Sequence, residues 1–137
     1  MFFYVSLPFI CWFLAGSLKF IINYLFHRNG AFSLIGNGGF PSTHTTVVSG
    51  MVFYIGLKEG VDTPFFGLGV TFLIITIIDA LGIRRSLGKH AKIINIHTET
   101  MNSGEEKLRE RQGHNIYEIL GGLLLGFFIA IGIKIIN

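Results

Sequence analysis

The chain has a single cysteine, Cys11, set in an apolar run. An internal disulfide is therefore excluded, and one thiol says little about compartment. Charge is also scarce: Asp, Glu, Lys and Arg make up 14% of the residues, well short of the roughly one quarter usual in soluble domains. No Cys/His zinc spacing, Walker loop, heptad array or internal repeat is present, which removes the common metal-finger, nucleotide-loop, coiled-coil and solenoid readings. The first 25 or so residues are apolar but have no basic leading segment and no small-residue cleavage site. They read as a retained span rather than a signal peptide.

What is present is hydrocarbon. Half of the 137 residues are hydrophobic, 14 of them Phe, and the mean hydropathy is +0.59. Those values place the chain in a bilayer. The expectation is an all-α integral membrane protein with about four transmembrane helices and a polar, partly helical interfacial segment between helices 3 and 4. Residues 1–137 form a single domain.

The first span runs from about Phe2 to Phe26, with Pro8 inside it and Lys19 in its last third. A mid-membrane Lys costs roughly 2.5–3.5 kcal/mol on insertion scales. Either it snorkels to the interface or it faces an interior anion site. The second span, Pro41 to about Leu57, is only about 25 Å long against a hydrocarbon core of about 30 Å, so its His44 end begins below the surface. Thr63 and Pro64 are placed as N-cap and first residue of the third span, which runs to about Ile83 and ends Asp79-Ala80-Leu81-Gly82-Ile83-Arg84-Arg85. A buried acid needs a partner, and Arg84 is the one in reach.

Ser86 to Gly113 is the long polar region. Lys89, Ala91, Lys92, Ile93, Ile94 and Ile96 suggest a helix along the interface, and Ser103-Gly104-Glu105-Glu106 reads as a capping box opening a second, short helix. His90 and His97 share a face near Glu99, but two histidines are too few for a metal site. The fourth span, from Gly113 to about Ile136, puts His114 and Glu118 one turn apart on one face. Gly122 and Gly126 extend that face as a G-x-x-x-G, where another helix can approach closely.

The stretch that organises the rest is Gly36-Asn37-Gly38-Gly39-Phe40-Pro41-Ser42-Thr43-His44. Glycines let the backbone approach a ligand, Pro41 is placed in the first helical turn, and the hydroxyls and imidazole stand beside that turn's free amides. This is an anion-binding nest at the positive end of a helix dipole. Four spans put this motif, Arg84 and His114 on one side of the membrane. Eight of the eleven Lys and Arg lie in the loops on that side, which makes it cytoplasmic by the positive-inside rule.

Taken as a set, Gly-Gly-Phe-Pro-Ser-Thr-His (38–44), Asp-Ala-Leu-Gly-Ile-Arg-Arg (79–85) and Gly-His-Asn-Ile-Tyr-Glu (113–118) resemble the motifs of a small divergent branch of the type 2 phosphatidic acid phosphatase and vanadium haloperoxidase superfamily. The resemblance implies hydrolysis of a lipid phosphate or diphosphate through a phosphohistidine, sensitive to vanadate and using no metal or other cofactor. His114 would be the nucleophile, Glu118 its orienter and His44 the general acid. Lys19, Gly39, Ser42, Thr43, Arg84, Arg85 and Arg109 would serve the phosphate, with Asp79 in support. The partners implied are the bilayer and its lipid phosphates and no nucleic acid. Larger members have more spans, so a homodimer is a candidate for closing the site.

The chain departs from the superfamily pattern in several places. Lys19 and Arg28 are separated by eight residues rather than six, and Asn29 follows where Pro is usual. Leu108 stands six before the nucleophile, where Arg is usual. Glu118 replaces Asp and Thr43 replaces Gly. Two other readings stay open: a non-catalytic lipid-phosphate binder or helper subunit, and a vanadate-dependent oxidase.

Overall fold

A computed structural model describes residues 2–26, 39–101 and 104–136. The expectations that fall on Gly36 to Gly38, on Arg28 and on Ser103 lie outside the described residues. The fold is all-α. The elements are α1 (Phe2–Phe26), α2 (Thr43–Glu59), α3 (Pro64–Ile78), a π-helical segment (Asp79–Ile83), α4 (Arg84–Met101) and α5 (Ile116–Ile136). Among the described residues, three helical stretches are long and apolar enough to cross a membrane: α1, the continuous helix of α3, π segment and α4, and α5. The protein is an integral membrane protein.

Helix α2 is the short one, and it is the centre of the fold: α5, α1 and α3 all pack on it. Its interior face is small and polar, with Thr45, Thr46 and Ser49 fully buried. Threonine hydroxyls are satisfied within the helix, Thr46 Oγ1 donating to the Ser42 carbonyl at 2.9 Å. Small residues let backbones come close where lipid offers no hydrophobic drive between helices. Gly122 and Gly126 of α5 complete that contact: a Cβ on Gly122 would stand 2.7 Å from the Ser42 carbonyl oxygen, and one on Gly126 would stand 2.8 Å from the Gly50 nitrogen. The G-x-x-x-G is thus the surface that receives α2. Next to that contact, α1, α2 and α5 close on an apolar core of Leu7, Cys11, Tyr54, Ile129 and Ala130. α3, by contrast, buries none of its residues, as a helix facing lipid should.

Three sequence expectations are corrected. Helix α2 begins at Thr43, with Ser42 as its N-cap accepting from the Thr45 amide, so Pro41 stands before the cap rather than in the first turn. The third span does not end near Ile83. The helix runs through Arg84 and Arg85 into α4, because the change in backbone hydrogen bonding at Asp79–Ile83 widens the turn without breaking it. The capping pattern at Ser103 to Glu106 opens no helix: Gly104 to Gln112 has no regular secondary structure. No apolar periodicity follows Glu106, and a cap without a face to bury does not hold a helix. The Thr63 cap, by contrast, is as expected, with Thr63 Oγ1 accepting from the Phe66 amide at 3.2 Å and Pro64 in the first turn.

Candidate active site

Three separate parts of the chain meet at one cavity of about 340 Å³. Helix α1 contributes Trp12, Gly16, Lys19, Phe20 and Asn23, the start of α2 contributes Thr43 and His44, and the region after the π segment contributes Arg84, Arg109, Gln112, Gly113 and His114. The α1 residues are spaced three and four apart and so form one helical face. On α1, Leu7, Cys11 and Ala15 are fully buried. Lys19 is the next step of four along that stripe, and this turns its stem inward rather than to lipid.

His114 lies just ahead of α5 and is 9% exposed. Its Nδ1 is 2.8 Å from Glu118 Oε2. A carboxylate can only accept, so the proton belongs on Nδ1 and Nε2 carries the free lone pair. Glu118 is itself fixed by a reciprocal cap. Its amide donates to Asn115 Oδ1 at 2.9 Å, while the Asn115 amide donates to Glu118 Oε2 at 3.1 Å. This is a capping box with Asn at the cap, so the orienting acid is held by the start of its own helix. The Gly39 backbone N–H also reaches the Glu118 carboxylate, and Arg111 Nη2 lies 4.0 Å from Glu118 Oε1. Burial pushes the His114 imidazole below its ordinary pKa, the Glu118 hydrogen bond opposes that, and Lys19 and Arg84 add to the lowering.

The π segment does two jobs. An i→i+5 register stacks Arg84 over Asp79, whereas five α-helical residues would leave them about 140° apart. The Arg84 amide donates to the Asp79 carbonyl, and Arg84 Nε donates to Asp79 Oδ2 at 2.5 Å. Arg84 thereby faces the cavity with its carboxylate partner behind it. The same segment seats the nucleophile candidate: the His114 backbone N–H donates to the Ala80 carbonyl at 3.1 Å. The preceding Gly113 has φ +77°, and a Cβ there would come within 2.8 Å of that same carbonyl oxygen. Only glycine meets both conditions.

The first-turn amides of Thr43 and His44 have no acceptor within α2, and both residues line the cavity. His44 is exposed there. Beside them a second, mostly apolar groove of about 780 Å³ runs between α1, α2 and α3. It shares Trp12, Thr43, His44 and Arg84 with the first and continues along Pro8, Val47 and Phe72.

A family model described as the Divergent PAP2 family matches residues 3–129. The chain belongs to the Divergent PAP2 family. An uncharacterized membrane protein, YuiD, of Bacillus subtilis (strain 168) is 28% identical over 130 residues, covering 83% of this chain and 82% of that protein. No solved structure matches the chain.

In this Divergent PAP2 chain the cavity gathers Lys19, Thr43, His44, Arg84, Arg109 and His114 from the sequence-derived set. The rest of the set stands elsewhere. Glu118 is behind His114. Asp79 lines the apolar groove. Ser42 is fully buried, taking a 2.8 Å hydrogen bond from Thr45 Oγ1, and Gly39 is at the Glu118 carboxylate. Arg85 is exposed on α4 and does not line the cavity. Sequence reasoning missed Asn115 as a cap, although Asn-x-x-Glu before an apolar run was a readable signal, and it missed the α1 face of Trp12, Gly16, Phe20 and Asn23, which alternating three- and four-residue steps from Lys19 would have revealed.

Proposed function

We propose that this protein is a membrane-embedded phosphatase that hydrolyses a lipid phosphate or diphosphate through a phosphohistidine, without a metal. The observation that carries the reading is the convergence of His114, held by Glu118, with His44, Lys19, Arg84 and Arg109 around one cavity. Phosphoryl transfer asks for positioning and for positive charge around the equatorial oxygens, and an imidazole fixed by a third group supplies the nucleophile. His114 Nε2 attacks phosphorus, the bond to the leaving oxygen breaks, and His44 delivers a proton to that oxygen. Water then attacks the phosphohistidine, gives up a proton to His44 and releases inorganic phosphate, which restores His114. The apolar groove that opens off Thr43, His44 and Arg84 suits the substrate's hydrocarbon, with the phosphate at the interface. We place this side of the protein toward the cytoplasm, in the cell membrane, on the charge asymmetry of the loops.

Phosphate release from a panel of lipid phosphates, wild type beside His114→Ala, tests the proposal. Release by the wild type and none by the variant supports it. No release from any lipid phosphate across pH and detergent counts against it. The second reading, a lipid-phosphate binder without turnover, is favoured by Leu108 at the place of the usual arginine. It requires binding that survives His114→Ala and no phosphoryl adduct on His114.

A further inference from the structure

Between α4 and α5 the chain runs as a strap from Gly104 to Asn115 without regular structure. It carries Arg109 to the cavity wall. An irregular strap does not hold a guanidinium in place by itself, so something must set its path. Within the strap, Arg109 Nε donates to the Arg111 carbonyl at 3.4 Å and Gln112 Nε2 donates to the Arg109 carbonyl at 3.0 Å, and the Lys107–Glu99 ion pair is exposed and so holds little; the strap beside Arg109 is tied to α4 by the Asn95 side chain.

Asn95 is 5% exposed. Its Nδ2 donates to the Leu108 carbonyl at 2.8 Å, and its Oδ1 accepts from the Leu108 amide at 2.8 Å. The carboxamide thus pairs with Leu108 as a neighbouring β-strand residue would, using both backbone groups. The same Nδ2 donates to Glu110 Oε1 at 2.9 Å. These bonds bracket Arg109 on both sides. About two turns earlier on α4, Gly88 lets the Glu110 backbone lie against the helix: its Cβ would fall on the Glu110 carbonyl oxygen. A carboxamide offers two donors and one acceptor in a fixed plane, which is the set this clamp uses.

We infer that Asn95 is a positioning residue that sets Arg109 at the phosphate end of the cavity, so that Arg109 does the work of the arginine missing at Leu108. The inference rests on the phosphate-site reading but not on turnover. Asn95 touches no substrate and acts through the strap.

The test combines two measurements on the full-length protein in detergent, using wild type, Asn95→Ala, Arg109→Ala and the double variant. Hydrogen exchange at the Leu108 amide reads the clamp directly: it should be slow in wild type and faster by tenfold or more in Asn95→Ala. Calorimetric titration with inorganic phosphate reads the consequence. Arg109→Ala should weaken phosphate about tenfold, Asn95→Ala several-fold, and the double variant no more than Arg109→Ala alone, because one acts through the other. Asn95→Gln keeps both donors and the acceptor but moves them by one methylene, so it should fall between wild type and Asn95→Ala, and it serves if Asn95→Ala does not fold. Fast exchange at Leu108 in wild type, unchanged phosphate affinity in folded Asn95 variants, or losses that multiply in the double variant would each overturn the inference. Wild-type protein that binds phosphate but hydrolyses nothing removes the phosphatase reading and leaves this one standing; wild type that binds no phosphate overturns both.

Discussion

Glu118 Oε2 lies 2.8 Å from His114 Nδ1 and takes the Asn115 amide as well. One oxygen therefore serves the helix cap and the imidazole together. Glu118→Gln keeps a hydrogen-bonding oxygen but removes the charge that favours protonated His114. Activity should fall, by less than in His114→Ala, which should be at background. The acid limb should move too. His114 must be neutral to attack, so activity rises as pH climbs through its pKa, which burial holds below the ordinary value. Glu118 raises that pKa, so its loss lowers it further, and the limb should shift to lower pH. A pH profile of kcat/KM for both proteins checks the sign; an upward shift would refute it.

The leaving group separates the two histidines. General acid catalysis contributes roughly 10²–10⁴-fold where the leaving oxygen needs a proton. His44→Ala should lose about that much on a lipid monophosphate and markedly less on an activated aryl phosphate. Equal losses on both would make His44 a phosphate ligand or a packing residue instead.

Arg84 depends on the i→i+5 register for its place. Inserting one alanine after Gly82, which has open space around it, puts Arg84 one residue further from Asp79 and turns α4 by about 100° relative to α3. Phosphate affinity should drop about tenfold or more while the chain still elutes as a folded species in size-exclusion chromatography. Retained affinity would mean that Arg84 is dispensable.

The α2–α5 contact predicts opposite outcomes for two glycines of the same helix. Gly126→Ala drives a methyl into the Gly50 and Thr46 backbone of α2 and should destabilise by about 1–3 kcal/mol, as overpacking does. Gly132 has nothing within 4 Å, so Gly132→Ala should be neutral or stabilising by up to about 1 kcal/mol through helix propensity. Thermal unfolding in one detergent reads both.

Orientation follows from loop charge. In a Cys11→Ala background, a cysteine at Glu105 should resist an impermeant thiol reagent applied to intact cells, and one at Val61 should react. The reverse pattern would place the site outside.

The helices were legible from the chain itself. An apolar run of membrane length has few alternatives in lipid, since backbone groups must be satisfied internally, so α1 and α5 end where hydropathy ends. Thr63-Pro64 marked the start of α3, and the two histidine motifs were visible as Pro-Ser-x-His and His-x-x-x-Glu. Local patterns failed where their meaning depends on what packs next to them. Ser103 to Glu106 and Asn115 to Glu118 both look like capping boxes, yet only the second precedes an apolar face, and only that one starts a helix. The break expected at Asp79–Arg85 became a π segment because its extra residue per turn brings Arg84 over Asp79 and offers Ala80 to His114, gains that lie across the fold. Tertiary structure alone decided which cations reach the cavity. Arg84 and Arg109 do and Arg85 does not, since one residue along a helix is a 100° turn and only the packed neighbours determine which direction is inward.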